Sequence, residues 1–212
     1  MNYVLAHGLD DVNAQGFGTV PSISSTLDYG NSSFDVRQRV AATVFYDLPF
    51  GKNSSRGKSL ALRGCQLNLA GVWSTGLPFT VVNANDISNT LPGASGADRP
   101  NQIGSSSLSH PSVTRYFNTA AFQAQAPGTL GTERSNQLYG PPSRHLDGSL
   151  FKNISLRKEA TLQFRTEVFN LTNTANFASP AAVLGGANFG QLTQMTAGYA
   201  PREIQFALRA QF

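Results

Sequence analysis

His145, Asp147 and Ser149 are spaced two residues apart, and they are the residue types of a hydrolase relay: a base, a carboxylate to orient it and a nucleophile. On an extended chain all three project from one face, but neighbours on that face lie about 6.5–7 Å apart at Cα. That spacing is too wide for a relay ending on a side chain as short as serine. The expectation is a polar wall, and no enzyme. His7 and His110 have no Cys, Asp or Glu at metal-ligand spacing, and the single cysteine, Cys65, has no second thiol for a disulfide, redox or metal site. Gly16-Phe17-Gly18 and Gly185-Gly186 lack the following helix and lysine of a phosphate cradle. No catalytic, metal or cofactor-binding residue is expected, and no cofactor.

The elements that must carry these residues are constrained first by composition. Charged residues are 13% of the 212, about half the roughly 25% of an ordinary soluble domain. Their place is taken by Ser, Thr, Asn, Gln and Gly, which excludes a coiled coil, while 14 Phe and 6 Tyr argue against charge-driven disorder. The net charge is +4, but Lys and Arg are scattered, with no cluster denser than Arg37/Arg39 or Arg157/Lys158. A nucleic-acid partner is not expected. No apolar run approaches the ~18 residues of a membrane-spanning helix. A membrane β-barrel would leave little trace in mean hydropathy, because its strands alternate. The first residues lack the basic stretch and apolar core of a signal peptide.

Period-two alternation marks the strands. From Val36 to Leu48 the even positions include Val40, Val44 and Tyr46, and the odd ones Arg37, Arg39 and Asp47. From Cys65 to Thr75, Leu67, Leu69 and Trp73 oppose Gln66, Asn68 and Ser74. From Leu146 to Leu156, Leu146, Leu150 and Ile154 oppose His145, Asp147 and Ser149. Then Leu162, Phe164 and Val168 oppose Gln163, Arg165 and Glu167, and finally Ile204, Phe206, Leu208 and Phe212 oppose Gln205 and Arg209. Asn2–Leu9 is a weaker sixth segment, and Arg115–Gln125, the one helical candidate, is expected to be a loop element. Strands of roughly 9–13 residues exceed the five or six usual in soluble proteins and match the length of a tilted bilayer crossing. The long connections (Asp10–Asp35, Asn83–Ser143, Thr172–Arg202) alternate with shorter ones (Pro49–Arg63, Arg157–Ala160), so all long loops fall on one side. Val40, Val44, Leu67, Leu69, Leu162, Phe164 and Val168 are expected to face lipid. Arg37, Arg39, Arg165, Glu167 and Arg209 are expected to face a lumen held by Arg–carboxylate pairs. Tyr46, Phe50, Phe151 and Phe212 are expected in an interfacial aromatic girdle.

Short motifs appear in a specific order: Phe34–Val40, Tyr46–Lys52, Ser74–Thr80, Arg99-Pro100-Asn101, Tyr116–Phe122, Ser149–Asn153, Gln163–Leu171, Asn188-Phe189-Gly190 and Pro201–Arg209. This order resembles the C-terminal barrel of TonB-dependent receptors, in the Oar-like branch whose members often carry an N-terminal carboxypeptidase-regulatory-like domain. The resemblance implies an all-β, antiparallel outer-membrane β-barrel segment of about six long strands, with long extracellular loops and short periplasmic turns. Residues 1–212 would be the C-terminal part of an incomplete barrel, without plug or signal peptide, in the bacterial outer membrane. The implied function is uptake of a scarce solute, with this chain as barrel wall. Implied partners are outer-membrane lipid, the remaining barrel and plug of the parent protein, and the barrel assembly machinery. The TonB system would be reached only through the N-terminal part. Phe212, with Phe206 and Leu208, resembles the strand signal which that machinery reads. The competing reading is a small stand-alone barrel or adhesin with long surface loops. A soluble β-sandwich and an esterase on the His145 face stand behind it.

Overall fold

The computed structural model describes residues 1–11, 25–49, 63–89, 98–157 and 160–212. Six strands form one antiparallel sheet: β1 (Asn2–Leu5), β2 (Gln38–Asp47), β3 (Cys65–Ser74), β4 (Ser143–Arg157), β5 (Ala160–Phe169) and β6 (Glu203–Gln211). Spatial order follows chain order, so the sheet is an open meander with β1 and β6 at its edges.

Register converts the alternation into two faces. Val40 lies opposite Trp73, Val44 opposite Leu69, and Tyr46 opposite Leu67. Leu67 meets Leu150 across β4, Ile154 meets Leu162, and Phe164 meets Leu208. Val168 lies opposite Ile204, and Thr166 opposite Phe206. All these side chains therefore share one surface, because directly opposed residues point the same way. The other surface carries Arg39, Asn68, Ser149, Arg165, Glu167 and Arg209 through the pairs Arg39–Ser74, Asn68–Ser149, Ser149–Glu167 and Gln163–Arg209.

Burial is inverted relative to a soluble sheet. Among the described residues the buried apolar side chains are Phe79, Val81, Val82, Phe117, Ala121, Phe122, Leu138 and Leu192, and none belongs to β1–β6. The buried residue of the sheet is a polar one, Asn68. On the apolar surface, Leu150 is 44% and Phe164 43% exposed, although both are paired with strands on either side. Water would charge a high free energy for this surface; hydrocarbon would not.

The three long connections leave the same end of the meander and pack on one another as a loop cap. Its apolar centre is Phe79, Val81, Phe117, Ala121, Phe122 and Leu138, flanked by Tyr116, Ala182, Leu184 and Phe189. Two-residue ladders stitch it together: Pro78–Phe79 with Leu138–Tyr139, and Val82–Asn83 in parallel with Val183–Leu184. Asn31 and Asn136 exchange amide-to-carbonyl hydrogen bonds of 2.7 Å, joining the first long connection to the second. Tyr139 donates to Asp35 at 2.9 Å; burial and this bond push its phenol up to about 12.

Arg115–Gln125 is a loop element, as expected: it holds one 3-10 turn, Thr119–Ala121, then the short strand Phe122–Gln123. Other expectations change. The first strand stops at Leu5, and the chain resumes pairing only at Leu9–Asp10 with Gly30–Asn31. Gly8 breaks the run by donating its amide to the Asp35 carboxylate at 2.8 Å. Arg37 lies just before β2, where its carbonyl accepts from Ala6 at 3.1 Å. Phe50, Lys158 and Gly16-Phe17-Gly18 lie outside the described residues.

Candidate functional site

The polar face of the sheet places the charged residues singled out by alternation, but not in ion pairs. Arg165 lies opposite Phe151 and Ala207, while Glu167 lies opposite Ser149 and Gln205, so among the described residues no carboxylate faces an arginine across a strand pair. Arg165 instead sits 4.7 Å over the Phe151 ring and donates through Nε to Gln163. Phe151 thus belongs to the polar face and not to a lipid-side girdle, because it occupies an odd position of β4. Arg209 lies opposite Gln163. Asn68, Ser149, Asp147, Glu167, Phe45 and Phe169 line a shallow cavity of about 200 Å³ on this face.

The three residues with hydrolase potential do not assemble. His145 Nε2 lies 2.9 and 3.0 Å from the two Asp147 oxygens, and its ring meets Tyr199 edge-on at 5.4 Å. Asp147 also accepts the Asn170 amide at 2.9 Å. Ser149, four residues along the same strand from His145, accepts from Asn68 Nδ2 of the neighbouring strand at 3.1 Å. The serine is held by an amide and no base reaches it. His110 contacts the Ser109 hydroxyl at 3.2 Å and is exposed, and His7 contacts Asn31 at 2.9 Å. Among the described residues no group of three His, Cys, Asp or Glu is placed to hold a metal.

The apolar face carries two cations that alternation alone does not single out. Arg144 lies opposite Trp73 near the cap end, and Lys152 lies opposite Cys65 and Phe164 toward the short-turn end. The Lys152 ammonium reaches back to the Arg63 carbonyl, off the strand and away from the apolar surface. Eight residues separate the two cations along β4, about 27 Å of strand at ~3.4 Å per residue. Tilted by ~40°, that spans roughly 20 Å of height, close to the ~25 Å apolar band of a membrane barrel. Leu146, Gly148 and Leu150 fill the interval.

The profile of the outer membrane beta barrel domain matches residues 1–205. The chain belongs to the outer membrane beta barrel domain family. Its place is the bacterial outer membrane, and its sheet is an unclosed portion of such a barrel. No curated protein and no solved structure matches it.

In this barrel domain the cap meets the strand ends at a cleft of about 530 Å³, lined by hydroxyls from Ser74, Thr75, Ser143 and Thr196 and by the rings of Phe177 and Tyr199. Gly76 makes the junction possible. A Cβ there would lie 1.9 Å from the Gly140 carbonyl oxygen and 2.8 Å from that of Pro141. Gly76→Ala is therefore expected to loosen the junction at a cost of about 1–3 kcal/mol. The measurement is hydrogen exchange at Gly140, whose amide donates to Leu77 at 2.8 Å. Unchanged protection there would refute the close approach.

Proposed function

We propose that the chain forms the C-terminal barrel wall of a TonB-dependent receptor and contributes to solute uptake without catalysis. The observation that carries this reading is the open six-stranded meander, with an exposed apolar surface and both edge strands without a further sheet partner among the described residues. Exposed edges in a bilayer leave backbone N–H and C=O groups without partners, so further strands must close the sheet. The order of motifs from Phe34–Val40 to Pro201–Arg209 supports the receptor family over a small self-contained barrel. In this reading the loop cap is extracellular. Arg39, Arg165, Glu167 and Arg209 face the lumen where plug or solute passes. Val40, Val44, Leu67, Leu69, Leu162, Phe164 and Val168 face lipid, while Phe206, Leu208 and Phe212 are offered to the assembly machinery. No nucleic acid is a partner.

Two measurements test it. The coding region upstream of Met1 is expected to encode, in frame, a plug and a signal peptide; a stop codon and promoter there would favour the small barrel or adhesin. The second concerns the faces. Leu69 lies mid-strand between Val44 and Gly148. Leu69→Arg is expected to destabilise the inserted barrel by about 2–4 kcal/mol, as for Arg near a bilayer midplane. Gln163→Arg, on the other face beside Arg209, is expected to be tolerated. Asn68 is no control for this comparison, since it is 9% exposed and bonded to Ser149. Equal sensitivity at Leu69 and Gln163 in lipid-vesicle folding titrations would mean that the apolar surface does not meet lipid.

A further inference from the structure

The loop cap contains a carboxyl group that the barrel reading does not use. Glu133 is 0% exposed, and among the described residues neither of its side-chain oxygens has a hydrogen-bond partner. Its backbone is fixed: its amide donates to the Pro100 carbonyl at 3.0 Å. Gly131, two residues earlier, lies so close to the same segment that a Cβ would stand 1.9 Å from the Arg99 carbonyl oxygen. The chain is thus pressed against residues 99–100, and Glu133 has been carried into the interior with it.

Three segments converge here, and their charges are accounted for as follows. From the second long connection, Arg99 is the cation whose field acts on Glu133. Arg99 is already engaged, however, with its guanidinium on Asp28 and on the Leu27 carbonyl at 2.8 Å. Asp28, from the first long connection, is 2% exposed. Asp98, next to Arg99, accepts from the Ile87 and Ser88 amides and from Gln125. Arg134 is exposed and reaches the Tyr29 carbonyl at 3.4 Å. Ser135 donates its amide to the Leu27 carbonyl at 2.9 Å, so the Glu133 loop and the Leu27–Asp28 turn are also joined directly. One largely buried arginine therefore acts on two buried carboxyl groups and is hydrogen-bonded to only one of them.

We propose that Glu133 is a pH-responsive latch on the loop cap: protonated, it leaves Arg99 to clamp the Leu27–Asp28 turn, and ionised, it draws Arg99 away and releases that turn. A buried carboxylate without partners is disfavoured, so the clamped cap holds Glu133 neutral. Desolvation raises its pKa from 4.5 to about 7, with Arg99 opposing. The direction follows from proton linkage. The clamped state binds the proton more tightly than the open one, so clamping is complete below the ordinary carboxylate range and weakens as pH rises toward about 7. This latch concerns the cap alone and holds whether the barrel transports a solute or stands by itself.

The experiment is hydrogen exchange of the full chain in outer-membrane vesicles between pH 5 and 8, corrected for intrinsic exchange rates. Protection of the Ser135 amide is expected to fall by on the order of tenfold or more across that range, while Gly140, bonded to Leu77 at the junction of cap and strands, stays constant. Glu133→Gln, of the same shape but without a titrating charge, is expected to show no such fall. Asp28→Asn removes the competitor for Arg99 and is expected to move the transition to lower pH, a shift that a merely packed Glu133 would not produce. A flat profile in the unsubstituted protein overturns the latch, as does an unchanged transition in Glu133→Gln.

Discussion

Phe117→Ala is expected to dismantle the loop cap while leaving the six-stranded sheet in place, at a cost of about 3–5 kcal/mol, the range for a fully buried phenylalanine. Phe117 is 3% exposed, and its ring centre lies 5.7 Å from Phe79, 5.7 Å from Phe122 and 5.3 Å from Phe189. Those neighbours come from two different long connections, so truncation opens a cavity where the loops meet. Tyr116 and Gly190 also share a backbone hydrogen bond of 2.7 Å beside it, and the cavity would loosen that bond as well. Near-ultraviolet dichroism and protease susceptibility of the 99–140 region are the readouts, with strand content measured in parallel. Phe45→Ala is the contrast. That ring is 73% exposed on the sheet, and its loss is expected to change cap stability by less than about 0.5 kcal/mol. If Phe117→Ala unfolded the sheet together with the cap, the two would be one cooperative unit, contrary to the separation of the buried core from the strands.

Arg99→Ala is expected to cost the cap about 3–5 kcal/mol, because removing one partner of a buried ion pair leaves charge inside without compensation. The guanidinium joins Asp28 and the Leu27 carbonyl in one planar contact, and its field bears on Glu133 as well. Arg99→Lys keeps the charge but loses the fork that reaches two acceptors, so it is expected to recover only part of the loss. Loss of Arg99 also removes the cation that opposes the desolvation of Glu133, and that carboxyl group should stay protonated to higher pH. Urea titration of the cap, followed by exchange at Ser135, measures the first effect, and its pH dependence measures the second. An Arg99→Lys variant as stable as the parent would show that charge alone matters at this position.

Side-chain alternation along an extended chain is a local property, and it suffices for the two faces of the sheet. Once Val40, Leu69, Leu150, Phe164 and Leu208 recur at period two, any antiparallel neighbour pairing that buries or exposes one of them treats the others alike. Strand number, the order of the meander, the side on which long loops emerge and membership of a barrel family were therefore legible in residue order. Three features were not. Lys152 and Arg144 sit at even positions of β4, and only the path of their side chains and their place along the strand shows how the apolar face ends at them. Phe151 has a girdle residue's chemistry, but its odd position in β4 sets it on the polar face under Arg165. The cap was invisible, since its loops have no period and its contacts join residues far apart, as in the Arg99–Asp28 pair across 71 positions and the Asn31–Asn136 pair across 105. Periodicity reports where a side chain points relative to its own backbone. Whether Glu133 ends up in water or in the interior depends on which distant loops fold over it, and only their packing together decides that.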